Sequence, residues 1–245
     1  MSGGRIGYRA PGDYKGVWSL GEAVERIRHG TWGYDDPYWA NVVALLSMDG
    51  ADASTTFTDV KGHTFTAAGN AQIDTAQSMF GGASGLFDGA GDYISTPSSA
   101  DFAYGTGDFT WEGWLRLNSG SGNQYILEHG SNGGTISYNS ILKYYNDTIG
   151  TNSVLYTGNG GISVGEWHHI AVSRQSGTTR IFVDGGLRSS GPDAHNYAAQ
   201  DMRFGEYGGG GFSLNGWLDE WRITKGVARY TNNFTPPDTY PFPRG

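Results

Sequence analysis

Short segments in which apolar and polar residues alternate run through the chain from residue 42 onward, and turn residues separate them. The segment 109–117, FTWEGWLRL, shows this alternation best. Its faces carry Phe109, Trp111, Gly113, Leu115 and Leu117 on one side and Thr110, Glu112, Trp114 and Arg116 on the other. A period of two is typical of a β-strand that buries one face, so we expect the first set to face the core.

Many further segments of this kind predict an all-β fold. The predicted strands are residues 42–48, 55–60, 63–69, 85–89, 92–97, 109–117, 124–130, 135–145, 153–160, 166–174, 179–185, 202–207 and 216–224. Turn signals recur roughly every 8 to 12 residues, which is the spacing of sandwiches and barrels. Gln175, Ser176 and Gly177 are expected to form the turn of a hairpin.

Two predicted strands depart from simple alternation. Residues 166–174 carry apolar side chains on both faces, which indicates a central strand. In residues 216–224 the carboxylate Asp219 falls on an apolar face. That face carries Trp217, Asp219, Trp221 and Ile223, opposite Leu218, Glu220 and Arg222. Asp219 therefore needs a partner, because an unpaired buried charge is very costly.

The first 40 residues have a different pattern. They begin with a Gly-rich, basic arm, and residues 18–32 then predict a short amphipathic helix in which Ser19 and Glu22 have the spacing of a capping box. Such a short helix is marginal unless its apolar face docks on something. We therefore divide the chain into residues 1–40, an arm, helix and linker, and residues 41–245, a β domain with a C-terminal tail.

Composition narrows the functions that are open to the chain. The formal charge of −8 argues against nucleic acid or an anionic membrane as the partner, because phosphate contacts need clustered Lys and Arg. The chain has no cysteine, which excludes disulfides, cysteine-based zinc sites and thiol catalysis. No apolar run reaches the roughly 18 residues of a membrane helix, and the first residues lack the apolar core of a signal peptide.

Five stretches together resemble a known family. They are FGGASGLFDGAGDYISTP, FTWEGWLRL, GEWHHIAVSR, TRIFVDG and GWLDEWRITKGVARYTNNFTPP. In order and spacing they resemble the laminin-G-like, concanavalin A-like jelly roll over about residues 42–237. The resemblance implies two curved antiparallel sheets packed face to face, preceded here by the short arm and helix.

The first and last of these stretches are similar to the version of the domain found in bacteriophage virion proteins and bacterial surface proteins. This resemblance implies a non-enzymatic virion structural protein, located in the virion as a decoration, fibre or tail accessory. Its partners would be other phage structural proteins and copies of itself, in a homo-oligomer such as a trimer. The expected anchor residues are Trp18, Leu20, Val24, Ile27 and Trp32. The alternative is a carbohydrate-binding adhesin domain that contacts a host surface glycan.

The family resemblance also implies a metal site. Related sandwiches hold a structural calcium between a carboxylate on the last strand and backbone oxygens from the first strands. Asp219 matches the last-strand carboxylate, and Asp49 and Gly85 are the candidates from the early strands. The alternative to a calcium site is that Asp219 pairs with Arg222, a backbone donor or a tryptophan N–H.

The sequence offers little for catalysis. Residues 161–165, GISVG, have the letters of a nucleophile elbow but are followed by a predicted strand, where that motif needs a helix. Glucanases of this fold use paired carboxylates, whereas Glu112 stands alone on its strand. His168 and His169 are adjacent on a strand and must face opposite ways, so they do not chelate a metal together.

Carbohydrate binding would use exposed aromatic side chains beside polar groups. The candidates in or near loops are Tyr144, Tyr145, Tyr156, Tyr207 and Trp217. The chain has 8 Trp, 15 Tyr and 11 Phe, so some aromatic rings will lie at the surface without any role.

Overall fold

The computed structural model describes residues 36–130, 133–146, 155–156, 161–237 and 241–244, with only the backbone at 155–156. The predicted arm, helix and anchor side chains fall on residues 1–35 and lie outside the described residues, as does the side chain of Tyr156. In the described part the helical elements are two short 3-10 turns, Trp39–Asn41 and Ala100–Phe102. No helix there is long and apolar enough to span a bilayer.

The strands form two eight-stranded antiparallel sheets, which confirms the predicted all-β sandwich. The first sheet contains β1 (Val42–Leu46), β4 (Gln72–Asp74), β5 (Ser84–Asp88), β7 (Phe109–Leu117), β12 (Trp167–Gln175), β13 (Thr178–Val183), β14 (Gly186–Pro192) and β16 (Asn215–Lys225). The second contains β2 (Thr56–Thr58), β3 (Thr64–Ala68), β6 (Tyr93–Ser95), β8 (Gln124–His129), β9 (Gly134–Tyr138), β10 (Leu142–Asn146), β11 (Leu155–Tyr156) and β15 (Met202–Phe204).

The strand order follows a jelly-roll path. The first sheet runs β14-β13-β12-β7-β16-β5-β4, and β1 pairs with β16. The second runs β11-β10-β9-β8-β15-β6-β3-β2. The predicted central strand is confirmed, since β12 pairs with both β7 and β13. Gln175 pairs with Thr178 across the predicted hairpin turn.

The core lies between the inner faces of the two sheets. Trp111 and Leu115 of β7 face it as predicted, together with Ile126 and Ile136 from the second sheet. The glycine of β7 has a packing role, since a Cβ atom at Gly113 would lie 2.4 Å from Cδ2 of Trp221. The indole of Trp221 thus occupies the space above the central strand.

A β-bulge in β16 makes the predicted assignment of its faces wrong. The register shifts between Asp219 and Arg222, and Glu220 has a left-handed backbone with φ of 46°. The bulge inserts one residue, so Leu218 lies in the core with Trp221. Asp219 and Arg222 are consequently directed to the other side of the sheet, away from the core face.

The outer face of the first sheet is also covered. Glu112 and Trp114, on the second face of β7, are buried. Phe242 of the C-terminal tail packs against Val42 and Leu45 of β1. Strand β7 therefore has buried side chains on both faces, and the tail belongs to the same packed unit.

Candidate functional site

Four aromatic side chains from two interior strands of the second sheet and from a nearby loop meet, and we call them the loop aromatic cluster: Tyr125, Tyr145, Tyr207 and Phe212. Phe212 is stacked on Tyr125 with ring centroids 5.8 Å apart. Tyr207 lies 5.2 Å from Tyr125 and 6.2 Å from Phe212. The hydroxyls of Tyr125 and Tyr145 are hydrogen-bonded. The cluster joins β8 and β10 to the loop that precedes β16.

Phe212 is the most unusual member of the cluster. It is 50% exposed, the largest value among the exposed large hydrophobic residues described. Its backbone is left-handed, with φ of 57°, a conformation that costs a bulky residue about 1 kcal/mol or more. An apolar ring that is both exposed and held on strained backbone does little for folding, and such strain is concentrated at ligand sites.

A cleft of about 290 Å³ lies beside Phe212. Its walls come from the β7–β8 loop, the β5–β6 turn and the segment leading into β16. Its side chains are Ser119, Ser121, Asn123, Gln124, Phe212, Ser213 and Asn215. Gly122, also in the wall, has φ of 80° and open space where a side chain would be. A ligand can therefore approach the backbone of this loop closely.

The walls of the cleft are held in place by internal hydrogen bonds. The amide nitrogen of Gln124 donates to the carbonyl oxygens of Ser119 and Ser121, at 2.8 and 3.1 Å. Its amide oxygen accepts from the N–H of Asn215 at 2.8 Å. The N–H of Tyr125 donates to the carbonyl of Phe212 at 2.8 Å. These bonds tie the two loops to each other, so a ligand would meet a preorganised surface.

The predicted glycan-contact residues lie in three different environments in the structure. Tyr145 and Tyr207 belong to the loop aromatic cluster. Tyr144 does not reach the surface, because its ring is fully buried in the core and its hydroxyl is hydrogen-bonded to that of Tyr197. The prediction that Tyr144 contacts a glycan at the surface is therefore wrong. Trp217 donates its indole N–H to Asp74 at 2.7 Å on the first sheet, and its described ring contacts do not include the cluster.

Sequence reasoning missed Phe212 and Tyr125. The available signal was a single large aromatic residue inside the glycine run GEYGGGGFSLNG, residues 205–216. Strand alternation does not explain a large aromatic ring in a glycine-rich loop, so the ring was a candidate for a separate role.

Asp219 forms the second notable site. It is fully buried, and its Oδ2 accepts hydrogen bonds from the N–H groups of Met79 and Phe80, at 2.8 and 3.0 Å. Its Oδ1 is buried and has no hydrogen-bond partner in the described part of the chain. Burial raises the pKa of Asp219 well above its usual value, and the nearby carboxylates of Glu220 and Asp49 raise it further.

Glu220, beside it on the bulge, adds a second buried carboxylate. Burial raises the pKa of Glu220 to about 7, although Arg244 opposes the shift. Its Oε2 accepts from the N–H of Phe242 at 3.1 Å, and Arg244 lies 3.7 Å from its Oε1. Sequence reasoning missed Glu220, because without the bulge its side chain would fall on the opposite face from Asp219.

The residues around Asp219 fit a calcium ion by the chemistry of their oxygens. Asp49 contributes a carboxylate whose Oδ1 lies where a side chain at Gly81 would be, 1.8 Å from the Cβ position. Gly85 pairs with Leu218 on one side and Ile73 on the other, so it lies inside the sheet beside Asp219. The described residues contain no group of three His, Cys, Asp or Glu side chains that could hold a metal by themselves, so backbone oxygens would have to complete the site.

Glu112 belongs to a buried ion-pair network. Its Oε1 accepts from Nε and Nη2 of Arg222, at 3.0 and 2.8 Å, and its Oε2 accepts from the hydroxyl of Tyr230 at 2.7 Å. Arg222 and Arg229 also bind Asp36, at 3.0 and 2.7 Å. Burial alone would raise the pKa of Glu112, but Arg222 and its other neighbours outweigh burial and hold the pKa well below its usual range. A carboxylate held in this way is a structural anion.

The GISVG segment, residues 161–165, leads into β12 and not into a helix. Ser163 Oγ lies 2.8 Å from Nε2 of His168, and Nδ1 of His168 lies 2.8 Å from Oδ2 of Asp184. The backbone N–H of Ser163 also donates to the same Nε2, at 3.0 Å. Because one ring nitrogen faces both donors of Ser163, this chain of bonds fastens the loop to β12 and to the hairpin after β13.

His168 and His169 face opposite ways, as predicted. His169 is fully buried on the outer side of the first sheet, and its Nε2 lies 3.4 Å from Oε2 of Glu112. His168 faces Ser163 and Asp184 instead. The two rings share no ligand position.

Several solved structures share this fold. The botulinum neurotoxin serotype D binding domain matches with a TM-score of 0.60 and 11% identity, over 79% of this chain and 50% of that one. The binding domain of botulinum neurotoxin DC in complex with SialylT matches with a TM-score of 0.56 and 13% identity, over 76% and 48%. This chain spans about half the length of these binding domains.

A third match has nearly the same length as the sandwich. Domain 4 of AbnA, a GH43 extracellular arabinanase from Geobacillus stearothermophilus, in complex with arabinotriose, matches with a TM-score of 0.56 and 19% identity. The match covers 77% of this chain and 94% of that one. At such identities the likeness concerns the fold.

No curated protein sequence matches the chain. A family model, the concanavalin A-like lectin/glucanases superfamily, matches residues 88–229. That segment is more than half of the chain, and it includes the cleft and three members of the core face of β7: Phe109, Trp111 and Leu115. The chain belongs to the concanavalin A-like lectin/glucanases superfamily.

Proposed function

We propose that this chain is a carbohydrate-binding domain that does not hydrolyse its ligand, and that the loop aromatic cluster with its cleft is the binding site. The observation that carries the proposal is Phe212, which is half exposed on strained backbone beside a polar cleft. Sugar rings present an apolar C–H face and a rim of hydroxyls. An exposed aromatic ring next to Asn and Ser side chains matches both parts.

Two observations support this role over glycoside hydrolysis. Two of the matched structures are complexes, one of a neurotoxin binding domain with SialylT and one of domain 4 of an arabinanase with arabinotriose. Glu112, the carboxylate considered for a glucanase-like role, is bound to Arg222 and Tyr230 under the C-terminal tail. A general acid needs a raised pKa, and Glu112 has the opposite shift.

A glycan array with the purified domain tests the proposal. Binding of the domain to a defined glycan should be lost in Phe212→Ala and kept in Leu187→Ala, which removes another exposed apolar side chain, on β14. Equal loss in both variants, or no glycan bound by the wild type, would contradict the proposal.

We further propose that the domain is displayed on a bacteriophage virion. The support is the resemblance of the FGGASGLFDGAGDY and KGVARYTNNFTPP stretches to phage virion domains, together with the amphipathic pattern of residues 18–32. Residues 1–40 would anchor the chain to phage structural proteins or to sister subunits in a homo-oligomer such as a trimer, through Trp18, Leu20, Val24, Ile27 and Trp32. In that setting the glycan would belong to the host surface.

The third proposal is that Asp219, with Asp49 and a backbone oxygen near Gly85, holds a structural calcium ion. The support is the buried Oδ1 of Asp219, which has no hydrogen-bond partner among the described residues, and the neighbouring carboxylates. Calcium would supply a positive charge beside the buried carboxylate of Asp219, whose Oδ2, within the described part of the chain, accepts only from backbone N–H groups. Glu220 adds to the negative potential there.

A further inference from the structure

The cleft beside Phe212 is polar without being charged. Its walls carry hydroxyl and amide side chains, glycine backbone and one aromatic ring, and no Asp, Glu, Lys, Arg or His among the residues that the structure describes there. We infer that it takes an uncharged sugar, so that the domain prefers neutral glycans to sialylated, uronic or sulfated ones. This inference rests on the proposed function.

The available hydrogen-bonding groups suit sugar hydroxyls. Asn123 lies in the wall and its side chain makes no hydrogen bond to another described residue, so its amide can both donate and accept. Ser121 is exposed at the mouth of the cleft. The hydroxyl of Ser213, by contrast, is already used inside the protein, since it accepts from the N–H of Gly91 at 2.9 Å and donates to Oε1 of Glu206 at 3.2 Å. A group such as the Asn123 amide, which both donates and accepts, suits a sugar hydroxyl and offers no positive charge to an anion.

Two carboxylates lie close to the cleft. Glu206 lies behind the wall, where its Oε1 accepts from Ser213 and from the N–H of Gly211, at 3.2 and 3.0 Å. Asp88 precedes Gly89 of the wall on the β5–β6 turn. With the formal charge of −8, these carboxylates would repel an anionic sugar at close range.

Described cations on this side of the molecule already have partners, and Lys143, two residues from Tyr145 on β10, is among them. The guanidinium of Arg203 stacks on Tyr93, 4.0 Å from the ring centroid. Arg116 stacks on Trp217 of the first sheet, at 5.1 Å. A sugar carboxylate or sulfate in the cleft would therefore be desolvated without a positive partner, which costs free energy.

The size of the cleft limits the ligand further. Its volume of about 290 Å³ is just below the range for small-molecule sites, about 300–1,000 Å³. The cleft therefore accommodates one or two sugar units at the end or within a longer chain, with the ring of Phe212 against one sugar face.

The test compares matched glycan pairs that differ mainly in charge, such as a sialylated glycan before and after methyl esterification of its carboxyl group, and a uronic acid oligosaccharide before and after carboxyl reduction. Titrations of the wild-type domain at low salt should show at least tenfold tighter binding of the neutral member of a pair. The difference should shrink at 1 M salt, where the Debye length is about 3 Å. The variant Ser121→Lys should raise the affinity for the anionic member.

Anionic members that bind as tightly as their neutral counterparts, or more tightly, would overturn the inference while leaving the proposed function intact. Absence of binding to every member of every pair would instead overturn the proposed function. Ser121→Lys without effect on the anionic members would place the bound sugar away from this wall and also count against the inference.

Discussion

The ring of Phe212 stacks on that of Tyr125 with an angle of 18° between their planes, while half of the Phe212 residue stays in solvent. The stacking fixes the orientation of the exposed ring. The left-handed backbone at Phe212 would suit glycine better, so the phenyl group is maintained at the expense of local strain. A ring held in this way is suited to contact a ligand.

Replacing Phe212 with glycine should separate binding from stability. Relief of the left-handed strain offsets the added freedom of the unfolded chain, about 0.4–1 kcal/mol, and the lost stacking on Tyr125. We expect the melting temperature to stay within a few degrees of the wild type, while glycan affinity falls by at least tenfold, about 1.4 kcal/mol. Phe212→Tyr is the control and should keep binding; calorimetry measures both quantities.

The calcium proposal predicts a stability that depends on chelation. Calcium at 100 times its dissociation constant would stabilise the fold by about 2.7 kcal/mol, so EDTA should lower the melting temperature. Asp219→Asn should reduce or remove that sensitivity, because an amide keeps the acceptor for the N–H groups of Met79 and Phe80 but replaces a charged calcium ligand with a neutral one. A wild type that melts at the same temperature with and without EDTA would rule out the calcium site.

Removing only one partner of the ion pair between Arg222 and Glu112 should lower the free energy of unfolding strongly. Arg222→Met leaves Glu112 charged and fully buried, and we expect a loss of about 3–5 kcal/mol in urea unfolding. The double variant Glu112→Gln with Arg222→Met should recover part of that loss, since the buried charge is then gone. If the double variant loses the full sum of the single effects, the two side chains are not coupled.

His129 should make the fold sensitive to acid. Burial lowers its pKa to about 4 from a usual value of 6.5, and its Nε2–H donates to the carbonyl of Phe102 at 2.7 Å. The unfolded chain then binds a proton more readily than the folded chain does. The contribution of neutral His129 to the free energy of unfolding is therefore complete above pH 6.5 and is lost as pH falls through 4. The full loss is about 3 kcal/mol.

The matched variant His129→Gln keeps a donor for Phe102 and does not titrate. Subtracting its stability profile from that of the wild type between pH 3 and 8 isolates the histidine, because other groups titrate alike in both proteins. A flat difference profile would contradict the assignment.

Truncation tests the proposed anchor and its boundary. Removing residues 1–35 should leave a folded sandwich that no longer joins virions. Removing residues 1–40 also deletes Asp36, which pairs with Arg222 and Arg229, so this shorter chain should unfold at lower urea concentration. Normal incorporation of the first truncation into particles would show that the segment is not an anchor.

Regular alternation was enough to predict most of the sandwich. The bounds of β7, Phe109–Leu117, agree with the prediction because its core residues alternate without interruption. Strands β4 and β14 were missed, since β4 has three residues and β14, GLRSSGP, has little apolar periodicity. Their pairing partners, β5 and β13, determine that they are strands.

The candidate site was harder to predict for reasons of local geometry. The left-handed backbone at Glu220 is rare for a residue with a side chain, so nothing in the sequence signalled the bulge that directs Asp219 and Arg222 outward. Tyr144 and Tyr145 are neighbours on β10 and face opposite ways, one into the core and one toward Tyr125. Phe212 lies in a loop, where no periodicity distinguishes a functional ring from an incidental one.

Hydrogen exchange measured by mass spectrometry, with and without a saturating neutral oligosaccharide, tests the proposed site most directly. Protection should appear in peptides from residues 118–125 and 205–215, which form the cleft and carry Phe212, and should be absent when Phe212→Ala is used. Protection centred on residues 161–190 of the first sheet instead, or an unchanged pattern with a glycan that demonstrably binds, would contradict a site at Phe212.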